Sequence, residues 1–162
     1  MPRGRLLEST EDIDELLSTT RRVAVLGIKT AETGQPAYYV PEYAQRMGLE
    51  IIPVPVYFPE VTEILGVPVY RRIADIPGAI DIVNVFRRPW DVPPHIDDIL
   101  AKRPLPRAVW MQLGIRNDAA AERLTEAGID VVQDRCLLVE LSALRGSALR
   151  GSALRTDRKE NS

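Results

Sequence analysis

Three short apolar runs in this chain are each followed within a few residues by a cation or an amide. Val23-Ala24-Val25-Leu26 leads into Gly27-Ile28-Lys29-Thr30, Ile80 to Phe86 leads into Arg87 and Arg88, and Ala108 to Met111 leads into Gln112, Gly114 and Arg116. These residue types hold anions: arginine forks onto phosphate, lysine supplies a point charge, and a turn between a strand and a helix offers backbone N–H groups. Lys29 and Arg87, directly at strand ends, are the expected ligand contacts, whereas Arg88 and Arg116 are expected as solvated surface side chains. The glycine turn is not the usual dinucleotide one, because Gly27 and Gly34 are its only glycines and Thr33-Gly34-Gln35-Pro36 completes it. It is longer than G-x-G-x-x-G and suits a phosphate-bearing cofactor better than NAD.

Bond-making chemistry has few candidates. His95, the single histidine, follows Pro93-Pro94, and the first turn of a helix there suits a solvent-facing or capping imidazole rather than a catalytic one. No nucleophile elbow, metal-ligand cluster or Walker loop is visible. Cys136, the single cysteine, stands just past the last apolar run beside Arg135. A helix start and a neighbouring guanidinium can lower a thiol's pKa, which would make Cys136 reactive or redox-sensing. The commoner fate of a lone cysteine is that of a small buried apolar residue.

With 162 residues and 45% hydrophobic content, the chain can bury one sizeable core. A single domain over 1–145 is expected, followed over 146–162 by a flexible tail in which Ala-Leu-Arg-Gly-Ser recurs. Twenty-one basic against twenty-three acidic side chains leave a net charge of -2, which gives no general electrostatic case for nucleic acid or an anionic membrane. One cysteine excludes an internal disulfide framework or a multi-cysteine zinc cluster and fits a reducing compartment. No apolar run approaches the roughly 20 residues of a bilayer span, and no signal-peptide core follows Met1-Pro2-Arg3-Gly4-Arg5. The expected location is the cytoplasm.

Periodicity and punctuation predict alternating buried strands and amphipathic helices, the pattern of a doubly wound, mainly parallel sheet of five or six strands covered on both faces. Ser9 to Asp12 caps an opening helix with Ile13, Leu16 and Leu17 on its apolar face. Strands are expected at 22–26, 49–54, 80–86, 108–113 and 129–132. Helices are expected from Pro41 (or from Pro36 in an earlier turn), from Pro93, from a cap at Asn117 or Asp118, and after Cys136. Between the second and third strands the chain should form an irregular crossover with a short edge strand near Val69. Such sheets bind ligands beyond the carboxyl ends of their strands. A nicotinamide-binding sheet would carry an acidic side chain at the end of the second strand, where this chain reads Pro53-Val54-Pro55-Val56-Tyr57.

Five segments in order carry a family resemblance: Val23 to Gly27, Pro36-Ala37-Tyr38-Tyr39-Val40-Pro41, Asp81 to Arg87, Val109 to Ile115, and Asp134-Arg135-Cys136. Over roughly Ile13 to Leu141 the chain resembles the small stand-alone CoA-binding proteins, relatives of the CoA-binding part of the succinyl-CoA synthetase alpha subunit. The resemblance implies a Rossmann-like domain holding coenzyme A along the carboxyl edge of its sheet. Gly27, Ile28, Lys29 and Thr30, with Pro36 at the following helix, would receive the pyrophosphate. Val54, Pro55, Val56 and Tyr57 would face the adenine and ribose, and Val85, Phe86, Arg87, Gln112 and Gly114 would line the pantetheine arm. Cys136 could then form a mixed disulfide with the CoA thiol. The family usually has an asparagine-proline pair where this chain has Pro55-Val56. Nothing supplies the phosphohistidine domain of the synthetases, so the expected function is that of a carrier or sensor of CoA or acyl-CoA. The alternatives are a subunit of an acyl-CoA ligase or transferase and a nicotinamide-binding redox sensor. The expected partner is the small molecule, with a homodimer or a protein partner left open.

Overall fold

The computed structural model describes residues 2–146, so the repeated tail beyond Gly146 lies outside the described residues. Seven strands follow in chain order: β1 (Arg22–Leu26), β2 (Glu50–Val54), β3 (Glu63–Ile64), β4 (Val67–Pro68), β5 (Ile82–Val85), β6 (Ala108–Met111) and β7 (Asp130–Val132). The helices are α1 (Thr10–Ser18), α2 (Pro36–Arg46), α3 (Pro93–Ala101), α4 (Asp118–Glu126) and α5 (137–146). Five strands form one parallel sheet in the order β2-β1-β5-β6-β7. This is the expected α/β doubly wound architecture.

The two faces of the sheet follow from strand alternation. Ala24, Leu26, Val83, Val85, Val109 and Met111 pack on one side with Ile96 and Ile99 of α3 and Leu124 of α4. Val23, Val25, Ile82 and Trp110 pack on the other with Leu16 of α1, Val40 of α2 and Leu141 of α5. The local start signals operate as their chemistry dictates: the Ser9 hydroxyl accepts from the Asp12 N–H, and the Asn117 side chain accepts from the Ala120 N–H.

Three features refine the sequence expectation. The helix α2 takes the earlier of its two expected starts, Pro36, and Pro41 lies inside it. Proline there removes the N–H that would bond the Ala37 carbonyl; that carbonyl instead accepts from the Lys29 backbone N–H at 3.1 Å. The crossover holds a separate two-stranded antiparallel hairpin, β3 and β4, turned by Leu65 and Gly66 at φ 56° and 73°. Finally, residues 4–7 run along the free edge of β7: Val131 N–H donates to the Arg5 carbonyl, and Leu7 N–H to the Val131 carbonyl at 2.8 Å. Pro53 is accommodated because β2 is the other edge strand of the sheet.

Lys102 is fully buried at the end of α3, where its ammonium donates to the Gly78 carbonyl at 2.7 Å and the Arg103 carbonyl at 3.0 Å. Burial, and secondarily the Arg22 guanidinium, holds its pKa below the usual lysine value. Lys102→Met preserves most of the volume but orphans both carbonyls. It is expected to lower stability by about 2 kcal/mol, read from the midpoint of a urea transition. No helix among the described residues is long and apolar enough to cross a membrane.

Candidate functional site

Within the five-stranded sheet, the chain steps from β1 outward to β2 and then returns to β5 on the other side of β1. Such a reversal marks a switch point at the carboxyl ends of β1 and β5, where sheets of this kind take their ligands in a crevice. Gly27 continues β1 into this crevice and Phe86-Arg87 continues β5. The strand ends are very close: a Cβ on Gly27 would stand 2.4 Å from the Phe86 carbonyl oxygen and 3.2 Å from Arg87 Cδ, and Gly27 has φ +88°. Glycine is therefore needed both for its left-handed backbone and for the approach of the neighbouring chain.

Arg87 lies over this point with its side chain only 14% exposed. Its Nη1 donates to the Tyr57 hydroxyl at 3.4 Å, and the guanidinium stands 5.4 Å from the centre of the Tyr57 ring. Tyr57 follows β2 and Arg87 follows β5, so this contact bridges the end of β1, which lies between those strands. On its other side Arg87 Nε donates to His95 Nε2 at 3.2 Å. Among the described residues its ion-pair partner is Asp91, at 4.0 Å, beyond hydrogen-bond reach. A nearly buried cation thus has a neutral imidazole, a phenol and a distant carboxylate around it.

The electrostatics agree with that arrangement. Burial and then the Arg87 charge push the His95 pKa below its ordinary value, only partly offset by Asp98 and Asp91. The hydrogen bond and the charge of Arg87 lower the exposed Tyr57 phenol. His95, expected to face solvent or cap its helix, is instead half-buried against the crevice arginine. The signal that could have found it is its place at the start of a helix entered directly from the β5 rim, eight residues after Arg87.

Lys29 is half-buried at the mouth of the β1 loop, and its ammonium donates to Gln35 Oε1. In the same loop the Gly27 N–H is bonded to the Val54 carbonyl, and the Thr30 carbonyl accepts from the Thr33 N–H and hydroxyl. Ile28 is buried, while Pro36 is exposed at the first position of α2. Along the β2 rim Val54 and Pro55 are buried, Val56 is half-buried and Tyr57 exposed. Val85 is in the core, and Phe86 is half-buried. Arg88 and Arg116 are indeed surface arginines, paired with Asp91 and Asp118.

A second region lies further along the same edge, past β6 and β7. A cavity of about 540 Å³ is lined there by Leu113, Arg116, Arg135, Cys136, Val139 and Glu140 among others. Cys136 is half-buried. The guanidinium of Arg135 is spent on the Glu8 carbonyl and on Glu140 at 3.4 Å rather than reserved for the thiol. Gly114 is exposed at φ +85°, and its N–H donates to Asp134 Oδ1. Gln112 is 4% exposed, and its Oε1 accepts from Asn84 Nδ2 and from the Leu137 N–H at the start of α5, both at 3.3 Å. Asn84, on β5 in the centre of the sheet, keeps Oδ1 buried with no partner among the described residues. No cluster of three metal-ligating side chains is present among the described residues.

A family model described as CoA binding domain matches residues 21–142. The chain belongs to that CoA-binding domain family. Within it, a similar sequence is the uncharacterized protein YneT of Bacillus subtilis, 36% identical over 132 residues, which cover 81% of this chain and 93% of that one. A solved Thermus thermophilus protein, cell-free ID.343, is 36% identical with a TM-score of 0.76, covering 85% of this chain and 99% of its own. A hypothetical protein from Pyrococcus horikoshii OT3 is 28% identical with a TM-score of 0.75 over 89% of this chain and 99% of its own. The CoA-binding domain match spans β1 through most of α5, and so includes the switch-point crevice and the region around Cys136.

Proposed function

We propose that this CoA-binding domain protein binds coenzyme A or an acyl-CoA along the carboxyl edge of its sheet and acts as a carrier, sensor or regulatory protein. The observation that carries the reading is Arg87: a guanidinium 14% exposed at the switch point, with its ion-pair carboxylate 4.0 Å away. A guanidinium so little exposed, with its carboxylate beyond hydrogen-bond reach, has charge left for an anionic ligand. Lys29 and the loop from Gly27 to Thr30, with Pro36 opening α2, make up the rest of the pyrophosphate site.

The adenosine then lies along Val54, Pro55, Val56 and Tyr57. The pantetheine arm runs past Val85, Phe86 and Arg87 toward Gly114. One feature favours an arm of this kind. The cavity of about 540 Å³ beside Cys136 gives room for a thiol or thioester end. Gln112 serves from beneath, tying β5 to the start of α5 on which Cys136 stands. The single cysteine fits a protein of the reducing cytoplasm.

Calorimetric titration with CoA, acetyl-CoA and NADH tests the reading. Micromolar or tighter binding of CoA or acetyl-CoA with none of NADH is the expected result, and silence toward both CoA and acetyl-CoA overturns it. In the same assay Lys29→Ala is expected to weaken CoA by about 1–3 kcal/mol, the contribution of a charge-assisted hydrogen bond.

A further inference from the structure

The lone histidine is packed directly on the crevice arginine. His95 Nε2 accepts from Arg87 Nε at 3.2 Å, so the imidazole is neutral with its proton on Nδ1. Charged groups reach it from each neighbouring element: Arg87 from the β5 rim, Asp91 from the short turn Pro89–Asp91, and Asp98 from the next turn of α3. Tyr57 reaches the same guanidinium from the β2 rim. In the free protein His95 therefore holds Arg87 in place, and it does so only while it carries no second proton.

We propose that His95 is the positioning residue of Arg87, and that entry of a phosphate-bearing ligand into the crevice is coupled to uptake of a proton on His95 Nε2. This rests on the CoA reading above and names a regulation of the same site. In the free protein, protonating His95 would break its bond from Arg87 and set two cations side by side in a half-buried place. A pyrophosphate beside Arg87 neutralises that repulsion and takes the guanidinium as its own donor, which frees Nε2 to accept a proton. The sign follows from linkage. Burial and Arg87 hold the free imidazole below 6.5, and the bound ligand raises it. CoA affinity is therefore greatest at low pH and declines as pH rises through the imidazole midpoint of the complex.

Because His95 is the sole histidine, its ring resonances in a nuclear magnetic resonance titration are unambiguous. The titration is run on the free protein, with saturating CoA and with saturating pantetheine, which lacks phosphate. The midpoint is expected below 6.5 in the free protein. CoA should raise it by about one pH unit or more, the effect of an opposite charge within about 4–6 Å, and pantetheine should leave it in place. Each unit is a tenfold gain in CoA affinity between the ends of the pH range. Calorimetry across pH 5.5–8 should show that gain in the wild type and its loss in His95→Gln, whose amide oxygen can accept from Arg87 but does not titrate. Tight CoA binding with an unmoved His95 midpoint, or an equal pH slope in His95→Gln, overturns the coupling and leaves the CoA reading standing. Absence of CoA heat at every pH overturns the CoA reading itself.

Discussion

Gly27→Ala is expected to be strongly destabilising, on the order of 3–4 kcal/mol. Two costs combine at one atom. A non-glycine residue at φ +88° costs about 1–2 kcal/mol. The added Cβ would also stand 2.4 Å from the Phe86 carbonyl oxygen, which is backbone and cannot rotate away. Relief requires β1 and β5 to part where Phe86 N–H bonds the Leu26 carbonyl at 2.9 Å, at the centre of the sheet. Gly34 gives the control, since it has φ +61° but nothing within 4 Å of its notional Cβ. Gly34→Ala should therefore lose only about 1 kcal/mol, the conformational part alone. Thermal unfolding should separate the pair, with Gly27→Ala about 10 °C below the wild type and Gly34→Ala a few degrees below. Equal losses would mean that the approach of the two strand ends is not what glycine serves at position 27.

The contrast between these two glycines shows what the sequence could and could not reveal. Both mark the same loop in the sequence, and only the position of the Phe86 carbonyl, nearly 60 residues away in the chain, distinguishes them. Signals written within a few residues were legible: the Ser9 and Asn117 caps, the apolar runs of the strands, and the alternation that implies a parallel sheet. Pro41 was misleading for a physical reason. A proline normally opens a helix because its missing N–H is harmless there, but here it lies mid-helix and the carbonyl it releases is taken by the Lys29 N–H. What reads as a boundary is a tie between α2 and the β1 loop. The edge pairing of residues 4–7 with β7 was equally hidden, because pairing in register carries no local mark. At the crevice, the cations at the strand ends were legible from their positions after the apolar runs. The role of His95 was not, since it depends on α3 bringing its first turn back against Arg87.

Arg87→Ala is expected to weaken CoA by ten- to a hundredfold, about 1.5–3 kcal/mol, the range for a hydrogen bond to a charged group. The choice of ligands makes the result specific. Pantetheine shares the arm that passes Arg87 but has no phosphate, so its binding should fall much less than that of CoA; equal losses for both ligands would remove the phosphate contact from Arg87. Arg87→Lys restores the charge without the fork. Lysine cannot at once donate to His95 and reach the Tyr57 hydroxyl, contacts made by Nε and Nη1 of the present side chain, so it should recover only part of the CoA affinity. The deficit left in Arg87→Lys then measures geometry, and the recovery measures charge. Should lysine restore full affinity, the fork geometry and the bridge over β1 would be dispensable for CoA, with charge alone carrying the contact.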